Sequence, residues 1–340
     1  MSTRYRTTTG SRRKARILLP AGLATMVLVT GCGGFGGEGG ADSYPSRPVT
    51  FSVGSEPGSG WDATARAIVE SLEQEGMTDT NITVQNRPGA VGCVLLNQMV
   101  DEKAGEAHEI AMTSTPLFSN ELRGQCDKTY QDVTPIARLL IENFLVAVPA
   151  DSPYADLPAL LEAVKTDPQS VPIGASGDDQ LPFALLVQAA GGDPAQINFI
   201  EFESGGEYLT ALLNGDVVAS VSGVTEYGAQ IEAGELTGLA VLRDERLEAP
   251  LDDIPTAAEQ GYDVTLSNWR GVYGPPDMPE QAVTYWADKL EALLDSESWQ
   301  DIAERNQWET SYLAGDEYAE FLESEHQQIE EALTSIGATG

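Results

Sequence analysis

Apolar positions along the chain switch period in a repeating order. Val49, Phe51 and Val53 alternate with polar neighbours, which predicts a strand. Glu56-Pro57-Gly58-Ser59-Gly60 breaks that pattern and Asp62 stands at an N-cap position. Ala65, Ile68, Val69 and Leu72 then recur at helical spacing, and Gly76 closes the predicted helix. The unit repeats with NITVQ and the turn Asn86-Arg87-Pro88-Gly89-Ala90-Val91-Gly92. Residues 110–112 predict a short strand entering the polar turn Thr113-Ser114-Thr115-Pro116. The apolar run 137–148 predicts one strand buried on both faces, or two in succession.

Pro149-Ala150-Asp151-Ser152-Pro153 punctuates the chain as a hinge would, and a second series follows. Helices are predicted over 157–165, 181–190 and 208–213, and strands over 171–173, 197–202, 217–221 and 236–242. These strands enter Gly174-Ala175-Ser176-Gly177-Asp178-Asp179, Glu203-Ser204-Gly205-Gly206 and Ser222-Gly223-Val224-Thr225. The pattern turns back near Trp269-Arg270-Gly271, and the tail is helical from 316 to Gly337.

At least four times a strand feeds a Gly/Ser/Thr turn and then a helix. Free backbone N–H groups and the positive end of the helix dipole converge there, and ligands of open α/β sheets sit at those strand ends. The expected class is α/β, with two series joined near residues 149 and 270 and a cleft between two lobes.

The N-terminus lies outside that pattern. Arg12, Arg13, Lys14 and Arg16 precede an apolar run, 17–29, too short for a membrane span. Val29-Thr30-Gly31-Cys32 ends it as a lipoprotein signal would. The expected organisation is a signal peptide over 1–31 with Cys32 lipidated, a Gly-rich tether over 32–47, lobe 1 over 48–148 plus 271–340, and lobe 2 over 149–270. Ser11-Arg12-Arg13 leaves twin-arginine export open beside the general secretory route. The full chain holds 19 basic and 53 acidic residues, and removing 1–31 takes six basic residues and no acidic ones. Such a charge excludes nucleic acid as a partner. With Cys32 lipidated, Cys93 and Cys126 remain, which in an exported protein reads as a disulfide, two separate buried thiols being the alternative.

Catalytic chemistry is sparse. The two histidines, His108 and His326, fall in polar surroundings and are expected at the surface. Gly174-Ala175-Ser176-Gly177-Asp178 departs from a nucleophile elbow at its last position, with no histidine placed as base. Asp178-Asp179 and Asp252-Asp253 lack calcium-loop spacing, Gly54-Ser55-Glu56-Pro57-Gly58 is not a dinucleotide fingerprint, and no P-loop lysine follows. No enzyme activity, metal or cofactor is expected. Hydroxyls at helix starts remain: Ser55, Ser59, Ser114, Thr115, Ser176, Ser204 and Ser222. Together with backbone N–H groups they suit capture of a carboxylate, and the plain alternative is that each caps its own helix.

The residues at these turns resemble the extracytoplasmic solute receptors of tripartite tricarboxylate transporters, the Bug-type binding proteins. The resemblance rests on Pro57-Gly58-Ser59-Gly60-Trp61-Asp62, on Asn86-Arg87-Pro88-Gly89-Ala90-Val91-Gly92, on Asp132-Val133-Thr134-Pro135, and on Asn268-Trp269-Arg270-Gly271-Val272. It implies a two-lobed fold like the type II periplasmic binding proteins, closing on a small organic acid and delivering it to membrane transporter subunits. It implies ligand contacts through Ser55, Gly58, Ser59, Asp62, Ser114 and Thr115 in lobe 1, and Ser176, Gly177, Ser204, Gly205, Gly206 and Ser222 in lobe 2. Trp269 and Arg270 complete the candidate set, Arg270 as counter-ion to a carboxylate or as partner of a surface acid such as Asp277. A lipid-anchored monomer outside the cell membrane is expected, and a sensor that signals to a membrane kinase is the alternative. Glu56, Cys93 and Asp178-Asp179 depart from the family pattern, and they admit a monocarboxylate or an amino-containing acid beside di- and tricarboxylates.

Overall fold

The computed structural model describes residues 44–339 apart from 79, 176, 203 and 204. The expected signal peptide, Cys32 and nearly all of the expected tether fall outside the described residues, as do Ser176 and Ser204.

Strand β1 (Val49–Val53) leads into helix α1 (Gly60–Gln74), β2 (Ile82–Asn86) into α2 (Cys93–Glu102), and β3 (Glu109–Thr113) into α3 (Pro116–Leu122). The alternation read over 49–53 places Phe51 and Val53 in the core, with Ile68 and Leu72 of α1 packed against them. Helix α1 starts earlier than expected. Ser59, not Asp62, is the N-cap: its hydroxyl accepts from the Asp62 N–H, while the Asp62 carboxylate reaches back to the Gly58 N–H.

Strand β4 (Thr134–Pro149) is one continuous strand, and its apolar run joins the two parts of the sheet. Up to Asn143 it pairs antiparallel with β9 (Ser267–Gly274), and β10 (Glu309–Ala314) pairs with it on its other edge. From Phe144 onward its partners are β7 (Ala219–Gly223) and β8 (Leu236–Val241). The segment after β4 comprises α4 (Leu157–Thr166), β5 (Ile173–Ala175), α5 (Gln180–Ala189), β6 (Phe199–Glu201), α6 (Gly205–Asn214) and α7 (Val224–Glu232). Strand β5 lies parallel between β6 and β7. Helices α8 (Glu280–Leu294), α9 (Glu297–Arg305) and α10 (Gly315–Ser335) complete the chain.

The sheet order is β2-β1-β3-β9-β4-β7-β5-β6, with β8 and β10 pairing to β4. Apolar clusters form on either side of the partner change. Phe51, Ile110, Trp286, Leu290 and Trp299 belong to one, and Val146, Leu160, Ile173, Phe183 and Val221 to another. Each such fully buried side chain contributes about 1.5–3 kcal/mol of transfer free energy. The residues read as a turning point at Trp269-Arg270-Gly271 lie inside β9, which returns the chain across the sheet.

Cys93 opens α2, and its sulfur is bonded to that of Cys126, with the two Cα atoms 5.8 Å apart. The histidines are less exposed than expected. His108 is half-buried with its ring 5.0 Å from that of Tyr44. His326 is half-buried beside Phe118 and Tyr130.

Candidate functional site

The strand ends of the two halves face one cavity whose empty space, open solvent at its mouth included, is about 850 Å³. One jaw comes from the turns after β1, β2 and β3: Gly54, Ser55, Ser59, Gly60, Trp61, Pro88, Gly89, Val91, Ser114, Thr115 and Pro116. Every one of these residues is uncharged. The opposite jaw comes from the turn after β5, from the starts of α5 and α6, from the end of β7 and from α7: Asp178, Asp179, Leu181, Gly205, Tyr208, Ser222 and Glu226. Phe144 of β4, Leu266, and Asn268 and Arg270 of β9 line the region between.

Ionic locks behind the turns hold the neutral jaw. The Asp62 carboxylate accepts from the Gly58 N–H at 2.9 Å and from Arg66 Nε at 2.8 Å. Arg66 also donates to Asn86, whose amide donates to the Ser55 carbonyl at 3.0 Å. Burial pushes the Asp62 carboxyl up, but the Arg66 and Gly58 hydrogen bonds outweigh it and hold it below the ordinary value. The second turn is tied by Arg87 to Glu109 at 2.6 Å, and Lys103 pairs with the same carboxylate at 2.9 Å. Gly92, at φ +89°, lets the Trp61 ring approach to where a Cβ would sit. Trp61 Nε1 then donates to Ser114 Oγ at 2.9 Å, and Ser55 and Ser59 share a hydroxyl contact at 2.5 Å.

The opposite jaw is acidic. Ser222 Oγ donates to Asp179 Oδ2 at 2.9 Å, and the Tyr208 hydroxyl lies 3.2 Å from the same oxygen. Both hydroxyls also contact Glu226 Oε2 and one another. Burial, then the Glu226 charge, raises the Asp179 carboxyl well above its ordinary value, and burial raises Glu226 as well. Gly205 opens α6 against this cluster, and a Cβ there would collide with the Glu226 carboxylate. Asp178 serves a different contact. It accepts from Ser119 at 2.5 Å and pairs with Arg123 at 3.2 Å, joining the turn after β5 to α3 and its C-terminal end.

Of the candidates read from the sequence, Ser55, Ser59, Ser114, Thr115, Gly205, Ser222 and Arg270 line the cavity. Gly58, Asp62, Gly177, Gly206 and Trp269 do not. Asp62 is 3 % exposed and committed to the lock described above. Strand alternation turns Trp269 away from Asn268 and Arg270, into contact with Phe118, Tyr318 and Phe321. Gly177 instead meets the Val91 side chain of the other jaw. Glu56 is exposed and outside the lining, so it brings no charge into the cavity. Arg270 pairs not with Asp277 but with Glu142 of β4, Nη2 to Oε2 at 2.6 Å, and its Nη1 donates to Asn268 Oδ1 at 2.5 Å.

Tyr208, Glu226, Glu142, Asn268 and Phe144 were not candidates in the sequence. Glu226 lies four residues after Ser222, in the first turn of α7, a place where a carboxylate ordinarily just complements the helix dipole. Its relation to Asp179 depends on β5 and β7 being neighbours, which only the sheet order supplies.

The model of the tripartite tricarboxylate transporter family receptor matches residues 64–337. Protein BugT of Bordetella pertussis is 25% identical over 283 residues, covering 81% of this chain and 85% of its own. The structure of the periplasmic binding protein BugD superposes with a TM-score of 0.79 at 22% identity, over 87% of this chain and 99% of that one. A structure of an R. palustris protein with adipate superposes with a TM-score of 0.79 at 22% identity, over 86% and 98%. These likenesses establish the two-lobed α/β fold of periplasmic solute-binding proteins. The match over most of its length makes this chain a member of the tripartite tricarboxylate transporter receptor family, whose proteins are extracytoplasmic solute receptors and not enzymes.

Proposed function

We propose that this chain captures a small carboxylate-bearing solute in the cavity between its lobes and hands it to the membrane subunits of a tripartite transporter, tethered outside the membrane by a lipid on Cys32. The observation that carries the ligand class is the neutral jaw: Ser55, Ser59, Ser114 and Thr115 line it beside the first turn of α1. Hydroxyl and N–H donors at a helix start hold a carboxylate without a buried fixed cation, each charge-assisted bond contributing about 1.5–3 kcal/mol. A structural relative of the same fold is known with adipate, which agrees with this class. We place the lobe boundary inside β4, at the partner change between Asn143 and Phe144, with β9 as the returning connection. Closure of the lobes about these strands would bring the two jaws onto the ligand.

A thermal-shift screen against mono-, di- and tricarboxylates and amino acids tests the reading. A ligand at one hundred times its Kd stabilises the folded state by about 2.7 kcal/mol and raises Tm accordingly. Failure of every carboxylate-bearing compound to raise Tm would overturn the proposed ligand class. Radiolabelled palmitate incorporation into the wild type, absent in Cys32→Ser, tests the anchor.

A further inference from the structure

Four carboxyls stand in or beside the acidic jaw, and among the described residues two of them have a cation in ion-pair contact, while the Arg270 charge reaches Asp179 and Glu226 only from farther off. Asp178 has Arg123 at 3.2 Å, and Glu142 has Arg270 at 2.6 Å. Asp179 and Glu226 line the cavity itself. Among the described residues their hydrogen-bond donors are the hydroxyls of Tyr208 and Ser222. Each hydroxyl carries one hydrogen, and these two also contact one another, so the pair of carboxylates has more acceptor capacity than donors to fill it. Two carboxylates sharing one partly desolvated site favour taking up positive charge, as a proton or as part of a ligand.

A second observation comes from β9. Arg270 is 6 % exposed and lines the same cavity, yet its Nε has no hydrogen-bond partner. A buried N–H donor without an acceptor is costly, and an acceptor brought by a ligand would relieve it. Its Nη2 is committed to Glu142 and its Nη1 to Asn268, so Nε is the nitrogen left without an acceptor.

We propose that the cleft is built for a zwitterion: a small amino-acid-like solute whose ammonium sits between Asp179 and Glu226 while its carboxylate is held by Arg270 Nε and the hydroxyls of the neutral jaw. An ammonium brings three donors to the carboxylates that lack them, and the carboxylate stays on the side without negative side chains. A dicarboxylate of the same length must instead bring one end against Asp179 and Glu226. The inference rests on the receptor reading above and narrows its ligand.

Isothermal calorimetry with length-matched probes tests it. Succinate, glutarate and adipate are compared with 4-aminobutanoate, 5-aminopentanoate and 6-aminohexanoate, and with the twenty α-amino acids. The expected result is that one or more amino acids bind while the dicarboxylate of equal length does not. Asp179→Asn and Glu226→Gln, which keep the side-chain shape and remove the negative charge, are expected to weaken that binding by about tenfold or more. Their cooperative thermal unfolding without ligand, beside the wild type, shows whether the fold is retained. A dicarboxylate that binds more tightly than every amino acid overturns the zwitterion and leaves the receptor reading standing. Binding of an amino acid that both folded variants leave unchanged overturns the placement of the ammonium. No binding by any probe sinks the inference, while a tricarboxylate or other acid that binds in the wider screen would still support the receptor reading.

Discussion

The two jaws are assembled in the same way and differ in sign. Each consists of strand ends, short turns and helix starts gathered at one edge of a half-sheet. Both carry acids close to those turns. Behind the neutral jaw, Asp62 and Glu109 point back into the scaffold and are consumed by Arg66, Arg87 and Lys103. In the opposite jaw, Asp179 and Glu226 face the cavity and are hydrogen-bonded by hydroxyls, with the Arg270 charge acting on them from farther off. Shared topology therefore fixes where a ligand can sit, but not what charge it must carry. That is decided by whether the acids near the turns point back into the scaffold or forward into the cavity.

Arg270 lies between the jaws, and breaking its ion pair is expected to have the largest effect. Glu142 is 1 % exposed and loses its cation in Arg270→Ala. Leaving a buried charge uncompensated costs about 3–5 kcal/mol, so urea unfolding should show a loss of that size. Glu142→Gln combined with Arg270→Met removes both charges and is expected to recover most of it. A loss below about 1 kcal/mol for Arg270→Ala would mean that water reaches Glu142 and that Arg270 is held for the ligand alone.

The alternation at Val49, Phe51 and Val53 and the helical spacing after Gly60 were legible because one face of each element is buried against the core. So were most of the serines of the neutral jaw, since strand, turn and helix start are contiguous in sequence there. The acidic jaw was only partly legible. Asp178-Asp179 could be read as a departure from a family pattern, but Glu226 and Tyr208 join Asp179 only through the β5–β7 pairing and the packing of α6. Asp62 and Trp269 lie outside the cavity lining for a related reason. A motif residue can serve the scaffold: Asp62 locks the first turn, and Trp269 occupies the outward phase of a strand whose inward phase is Arg270. The strand β9 itself was hidden, because its pattern Ser267–Gly274 is buried almost throughout and gives no alternation.

The acids of the two jaws also titrate with opposite slopes. Asp179 and Glu226 hold their protons more tightly folded than unfolded, so the unfolded chain gives up protons first as pH rises above about 4. The folded state then binds more protons than the unfolded one, and stability falls as pH rises until the folded groups ionise. Asp62 slopes the other way, its contribution being lost as pH falls through its lowered value. Arg270, Glu142, Tyr208 and Tyr227 bear on the acidic pair from β9, β4, α6 and α7. Glu325, pushed up to about 7 by burial, slopes with the pair, so the informative quantity is a difference between curves. Thermal unfolding of ligand-free Glu226→Gln against pH is expected to be flatter than wild type above pH 4. Parallel curves would show that Glu226 ionises in the folded protein as it does in the unfolded chain.

The smallest expected effect separates holding the neutral jaw from using it. Ser114→Ala takes the acceptor from Trp61 Nε1, a net loss of about 1 kcal/mol and a fall in Tm of about 2 °C for a chain of this size. Trp61→Phe removes the same hydrogen bond from the other side and leaves the Ser114 hydroxyl free. If that hydroxyl also donates to the ligand carboxylate, Ser114→Ala weakens ligand affinity by about tenfold and Trp61→Phe weakens it less, whereas both lower Tm. Equal affinity losses in the two variants would show that Ser114 acts only by positioning Trp61. The carboxylate would then be left to Ser55, Ser59, Thr115 and the N–H groups of the first turn of α1.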